Sequence, residues 1–343
     1  MILEGTVLRG RDFAPVRGRV VIEEGEITAV EEAAVDSESI ILPAFVNAHT
    51  HIGDSIAKEA GAGLSLEELV APPDGLKHRL LRQASREELI SAMARTIAYM
   101  EAAGTGTFLE FREGGVAGVE MIEAALAGAN VDAVVLGRET VAAMERSDGF
   151  GASGANDGEF GAERTATAQE GKLFGIHAGE VDSSDINAAM DLDPDFLVHM
   201  VHPEPLHLER LADGGPPVVC CPRSNLATNV GTPPIAELAS RTTVALGTDN
   251  VMLSSPSMFR EMALAESIAD VSARGVLQMA TINGAEIAGL DCGLVAEGYA
   301  GRLIVLDGDS DNLCGAQDPV RAVVRRASVA DVERVVSPAD TRS

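Results

Sequence analysis

An α/β fold is what this sequence predicts: a (β/α)8 TIM barrel with a small β-sandwich domain built from both chain ends. Three observations carry that expectation. Strand-like and helix-like runs alternate between residues 42 and 297, the pattern of βα units around a parallel sheet. Several of the strand-like runs end in histidine or aspartate, which puts polar side chains at one end of that sheet. Short extended runs recur at both termini, so residues 1–41 and 298–343 are expected to pair into one small β domain.

The first of those termini reads as a meander: Thr6-Val7-Leu8, Gly18-Arg19-Val20-Val21-Ile22 and Glu26-Ile27-Thr28-Ala29-Val30, with Glu24-Gly25 as a turn. Three such strands are too thin to hold a core alone. The matching C-terminal runs are Gly301 to Asp307, Ala322-Val323-Val324 and Val332 to Val336, all read as extended. The barrel is expected to start with one buried strand, apolar from Ile40 to Val46, that ends in His49 and His51. Strand side chains alternate between faces, so these two imidazoles share one and can grip a single ion from one edge. Ser85-Arg86-Glu87-Glu88 is a capping box, and the helix it opens runs to Gly104. Strands follow at Gly106–Phe111, Val131–Leu136, somewhere in the glycine-rich stretch 147–163, Lys172–His177, Phe196–His199, Pro217–Cys220 and Thr243–Gly247. That makes eight.

Composition narrows the function classes. Acidic residues outnumber basic ones 53 to 26, giving a formal charge of −27, and Lys58, Lys77 and Lys172 are the only lysines. The acids are dispersed along the chain, which reads as a solvated acidic surface adapted to high salt. No basic patch exists to neutralise phosphates, so nucleic acid is excluded as a partner. No run of about 18 apolar residues suggests a membrane span, and no signal peptide is evident, so a cytoplasmic location is expected. A homo-oligomer is compatible with the sequence. The four cysteines show no C-x-x-C spacing, which argues against a zinc knuckle or a redox pair.

The chemistry lies at the strand ends. Strand one ends in His49 and His51, strand five in His177, strand six in His199 and strand eight in Asp249, and barrel geometry brings all of them to one face. The motifs Val46-Asn47-Ala48-His49-Thr50-His51, Gly175-Ile176-His177-Ala178-Gly179-Glu180, Leu197-Val198-His199 and Leu246-Gly247-Thr248-Asp249 resemble, in that order, the amidohydrolase superfamily. Within it the chain is similar to the branch of cytosine, guanine and adenosine-type deaminases and chlorohydrolases, over nearly its whole length.

The resemblance implies that His49, His51, His177 and Asp249 bind one catalytic divalent ion, zinc or iron. Two-metal relatives bridge their ions with a carboxylated lysine at the end of strand four. Here the nearest lysine, Lys172, starts strand five, so a single ion is expected. Glu180, three residues past His177, is the expected proton carrier, because a carboxylate beside the metal can take a proton from water and return it to the leaving nitrogen. Asp249 would also orient the attacking oxygen, and His199, which closes its strand as His202 does not, would hydrogen-bond that oxygen or polarise the substrate. Candidate substrate contacts are Arg223 and Asn225 after strand seven, which read equally as anchors of their loop, Asn250, and Arg112 with Glu110, which also read as an internal ion pair beneath the site. Asp54 and Lys58 lie where the first loop could close over a ligand, and the glycine-rich stretch 147–161 reads as a solvated loop or a lid. The reaction implied is hydrolytic deamination of a small nitrogen heterocycle. The rival enzyme readings are a cyclic amide hydrolase, imidazolonepropionase-like, or a chlorohydrolase. The rival outside catalysis is a ligand-binding protein without turnover, against which the complete ligand set counts.

Overall fold

Two sheets divide the strands of the chain between them. The computed structural model describes residues 1–61, 63–70 and 74–341. The smaller sheet draws on both termini: β1 (Ile2–Arg9), β2 (Ala14–Glu23), β3 (Glu26–Glu32) and β4 (Ile40–Pro43). The larger begins with β5 (Phe45–His51), β6 (Thr105–Arg112), β7 (Asp132–Gly137), β8 (Gly149–Ala152) and β9 (Leu173–Ala178). It continues with β10 (Phe196–His199), β11 (Val218–Cys220), β12 (Val244–Leu246) and β13 (Asp249–Asn250). Two C-terminal strands, β14 (Leu303–Leu306) and β15 (Val332–Val336), return to the smaller sheet, whose order is β15-β14-β4-β1-β2-β3.

The larger sheet is parallel throughout and closes on itself. Its β12 and β13 are halves of one strand interrupted at Gly247-Thr248: the first half pairs with β11, the second with β5. Two backbone bonds cross the interruption, from Gly247 N to the Cys220 carbonyl at 3.0 Å and from Thr248 N to the His49 carbonyl at 3.1 Å. Gly247 permits that closure, since a Cβ there would stand 2.7 Å from the Cβ of His49. Eight strands thus surround a core in which Phe111, Phe150, Phe174 and Phe196 are fully buried.

Two expectations need correction. The apolar run from Ile40 to Val46 is not one strand. Its first half, β4, pairs with β1 and β14 in the smaller sheet, and the chain steps across at Ala44 to begin β5. Both sheets bury their share, so the run stays apolar across the step, and Pro43, which offers no N–H, marks the end of the β4 ladder. The second correction concerns Ala322-Val323-Val324, which is helical within Pro319–Arg325. Asp318 caps that helix by accepting from Arg321 N at 3.0 Å, with Pro319 at its first position. Elsewhere the local signals hold: Ser85 and Glu88 exchange both capping-box bonds at the start of Arg86–Ala102. Among the described residues no helix is long and apolar enough to cross a membrane.

Candidate active site

The C-terminal ends of the barrel strands converge on four ligand-type atoms. His177 Nε2 lies 3.3 Å from His49 Nε2 and 3.4 Å from His51 Nε2. Asp249 Oδ1 lies 3.3 Å from His49 Nε2 and 3.6 Å from His51 Nε2. Ligands bonded to zinc at 2.0–2.2 Å in a tetrahedron stand about 3.3–3.6 Å from one another, so the spacing fits one ion. The hydrogen bonding on the far side of the rings agrees. His51 Nδ1 faces Glu113 Oε1 at 3.0 Å and His177 Nδ1 faces the Ala152 carbonyl at 2.8 Å, so both rings keep their proton on Nδ1 and point a lone pair inward. Burial holds all three imidazoles below their ordinary pKa, His51 at about 3, which keeps them neutral as metal binding requires. Neutral rings aimed at one another nitrogen to nitrogen repel unless a cation lies between them. The donor set fits a divalent ion.

Beside this cluster, Glu180, His199 and Asp249 form a second group whose atoms all lie within 4.8 Å of one another. Glu180 Oε2 is 3.6 Å from His199 Nε2, and its side chain is 21% exposed. Burial pushes its carboxyl above the usual range, more than the nearby His199 imidazole lowers it. His199 is held from behind by the side-chain amide of Asn225, whose Nδ2 donates to Nδ1 at 3.1 Å, so that ring keeps its proton on Nε2, toward the cavity. Ser224 donates to the other oxygen of Asp249. The backbone is strained here: His199, Met200 and Asp249 have φ of 80°, 51° and 57°. Each costs on the order of 1–3 kcal/mol, and such costs collect where geometry serves a site. His202, by contrast, is exposed and bonds the Val230 carbonyl at 2.8 Å.

A cavity of about 590 Å³ opens over both groups. Asn250 lines it, with Arg138, His78 and Asp157. The other three substrate candidates stand behind the wall. Asn225 is spent on His199, and Arg223 Nη1 donates to the Ser255 carbonyl at 2.9 Å while its amide meets buried Glu261. Arg112 is 2% exposed and donates to the Gly118 carbonyl at 3.2 Å, with Glu110 3.9 Å away. The two lie together beneath the site, as the sequence suggests, but burial keeps Glu110 in its protonated form, so the contact is not an ion pair at neutral pH. Arg112 leaves no room for a side chain at Gly53, where a Cβ would lie 1.6 Å from its Nη1. Gly53→Ala should therefore cost about 1–3 kcal/mol in urea unfolding, the usual penalty of overpacking.

Of the first-loop residues, Lys58 is exposed, whereas Lys77 is buried, 3.1 Å from Asp54 and 2.7 Å from Glu113. Lys172 bonds the Met144 and Glu145 carbonyls at the far end of its strand. Sequence reading missed Glu113, Ser224, Lys77 and Arg138. Glu113 alone had a signal, an acid one residue past the end of β6.

Glu110 gives a pH test. Burial pushes its carboxyl up to about 8, against an unfolded value of about 4.3. Between those values the unfolded chain has released the proton and the folded chain has not, so this group makes stability fall as pH rises. The melting temperature of Glu110→Gln relative to wild type should thus be more favourable at pH 8 than at pH 5.

Fold and site together define a barrel hydrolase of carbon–nitrogen bonds. The chain belongs to the amidohydrolase family, whose profile matches residues 40–181 and 155–337. It is 34% identical over 372 residues to a putative aminohydrolase of Methanothermobacter thermautotrophicus, covering 95% of this chain and 94% of that one. It is 28% identical over 382 residues to a 5-methylthioadenosine/S-adenosylhomocysteine deaminase of Halobacterium salinarum, covering 95% and 88%. In fold it is similar to a zinc-bound adenosine deaminase of Xanthomonas campestris, with a TM-score of 0.84 at 18% identity over 98% of this chain and 91% of that one.

Proposed function

We propose that this chain is a mononuclear zinc aminohydrolase that deaminates a nitrogen heterocycle, a purine, a pyrimidine or a related base or nucleoside. The observation that carries the reading is the convergence of His49, His51, His177 and Asp249 at ion-binding spacing with Glu180 beside them. These four residues would hold the ion, which when bound lowers the pKa of water to about 7. Glu180 takes the proton released as the oxygen attacks the amidine-like carbon, and returns it to the departing amino group. One C–O bond forms, one C–N bond breaks, and ammonia leaves. A carboxyl raised by burial suits both directions of that transfer. His199 Nε2–H polarises the ring position being attacked, held in its tautomer by Asn225. Asp249, fixed by Ser224, keeps the attacking oxygen in line.

Asn250 is the nearest of the candidate contacts to substrate, since it lines the cavity, while Arg223 and Arg112 support the wall from behind. A cytoplasmic setting at high salt accords with the charge of −27. Ammonia release by zinc-loaded protein in molar KCl, over a panel of bases, nucleosides, pterins and triazines, tests the reading. Release from at least one heterocycle is expected. Ring opening of a cyclic amide without ammonia would replace deamination with the rival hydrolysis.

A further inference from the structure

A buried charge cluster connects the cavity wall to the edge of the ion site. It is centred on Glu113, whose Oε1 is shared by Lys77 Nζ at 2.7 Å, Arg138 Nη1 at 2.9 Å and His51 Nδ1 at 3.0 Å. Asp54 lies 3.1 Å from the same ammonium. Two cations and two carboxylates balance, and nothing in the proposed reaction uses any of them.

Lys77 enters this cluster from the helix Leu76–Gln83, part of the long connection between β5 and β6. It is the only buried side chain of that helix, in a chain with three lysines. The helix's three leucines, Leu76, Leu80 and Leu81, are only partly buried, the first two against the cluster of Ala57, Leu69 and Met252. An ammonium therefore anchors this segment where a leucine would ordinarily do so. The same segment brings Ser65, Val70 and His78 to the cavity. Its anchor and the far nitrogen of His51 meet on one carboxylate oxygen.

We propose that Lys77 is a positioning residue that couples docking of the Leu76–Gln83 helix to His51: seating the helix completes the cavity wall and, through Glu113, sets the tautomer and aim of the His51 ring. The inference rests on reading His51 as an ion ligand. Outer partners of ligating histidines alter metal affinity by about 10–100-fold, which is the scale expected here. Coupling is reciprocal, so if the seated helix favours the ion, the ion must favour the seated helix.

That reciprocity supplies a test that uses the zinc ion alone. Amide hydrogen exchange in Leu76–Gln83 would be followed with and without one equivalent of zinc, alongside zinc affinity by chelator competition. In wild type, zinc should slow exchange of this helix about tenfold. In Lys77→Met the zinc-linked slowing should vanish and the dissociation constant should rise at least tenfold, with Lys77→Arg restoring part of both. Should Lys77→Met fail to fold, the charge-balanced Asp54→Asn/Lys77→Met pair takes its place, with the same two losses expected. A folded variant with wild-type affinity and undiminished zinc-linked slowing overturns the inference. If the linkage is found but no heterocycle yields ammonia, the deaminase reading fails and the coupling stands.

Discussion

Glu180→Gln should lower kcat by about 10²–10⁴-fold, the range that positioned acid–base catalysis contributes, while zinc content stays at the wild-type level. The substitution keeps size and hydrogen-bonding reach but removes the group that accepts and returns the proton. Glu180 sits where that role demands, 3.6 Å from His199 Nε2 and within 4.8 Å of Asp249, in a partly exposed position open to the cavity. Among the described residues its one ion-pair contact is that with His199. The loss should therefore fall on kcat rather than KM, because substrate binding survives and the proton transfer does not. A variant within a few-fold of wild type would mean that another group moves the proton.

His49→Ala is expected to have the other large effect, loss of the ion and of turnover together. His49 is fully buried, and its Nε2 stands 3.3 Å from both Asp249 Oδ1 and His177 Nε2, at the centre of the cluster. Removing it leaves His51, His177 and Asp249 with one side of the ion open, so affinity should fall by more than the 10–100-fold that an outer partner controls. Activity should drop to background at one equivalent of zinc. Chelator competition with a circular dichroism control checks this, and a folded variant that keeps wild-type affinity would remove His49 from the ligand set.

How much of this was legible in the sequence follows from the kind of signal each residue leaves. The histidines and Asp249 could be read because each closes an apolar strand, and a polar side chain there has few packing reasons to exist. The barrel's strand count was readable from alternation, even for β8, which is only four residues long. The step from β4 to β5 was hidden because burial in either sheet demands the same apolar run. The helix Pro319–Arg325 was misread for a related reason: Ala322-Val323-Val324 favours a strand locally, whereas the Asp318 cap and Pro319 decide the outcome. Arg112 and Arg223 show the limit at strand ends, where an arginine that faces the substrate and one that braces the wall have the same address. Lys77 left no periodic signal, since its partners Asp54 and Glu113 are 23 and 36 positions away and only the folded loop brings them together.

The central claim is that water replaces an amino group on a heterocycle, and turnover in ¹⁸O-labelled water tests it most directly. With zinc-loaded protein and the heterocycle that yields ammonia, each ammonia released should be matched by one labelled oxygen in the product. Ammonia without label in the product, or labelled product without ammonia, would contradict hydrolytic deamination at this site.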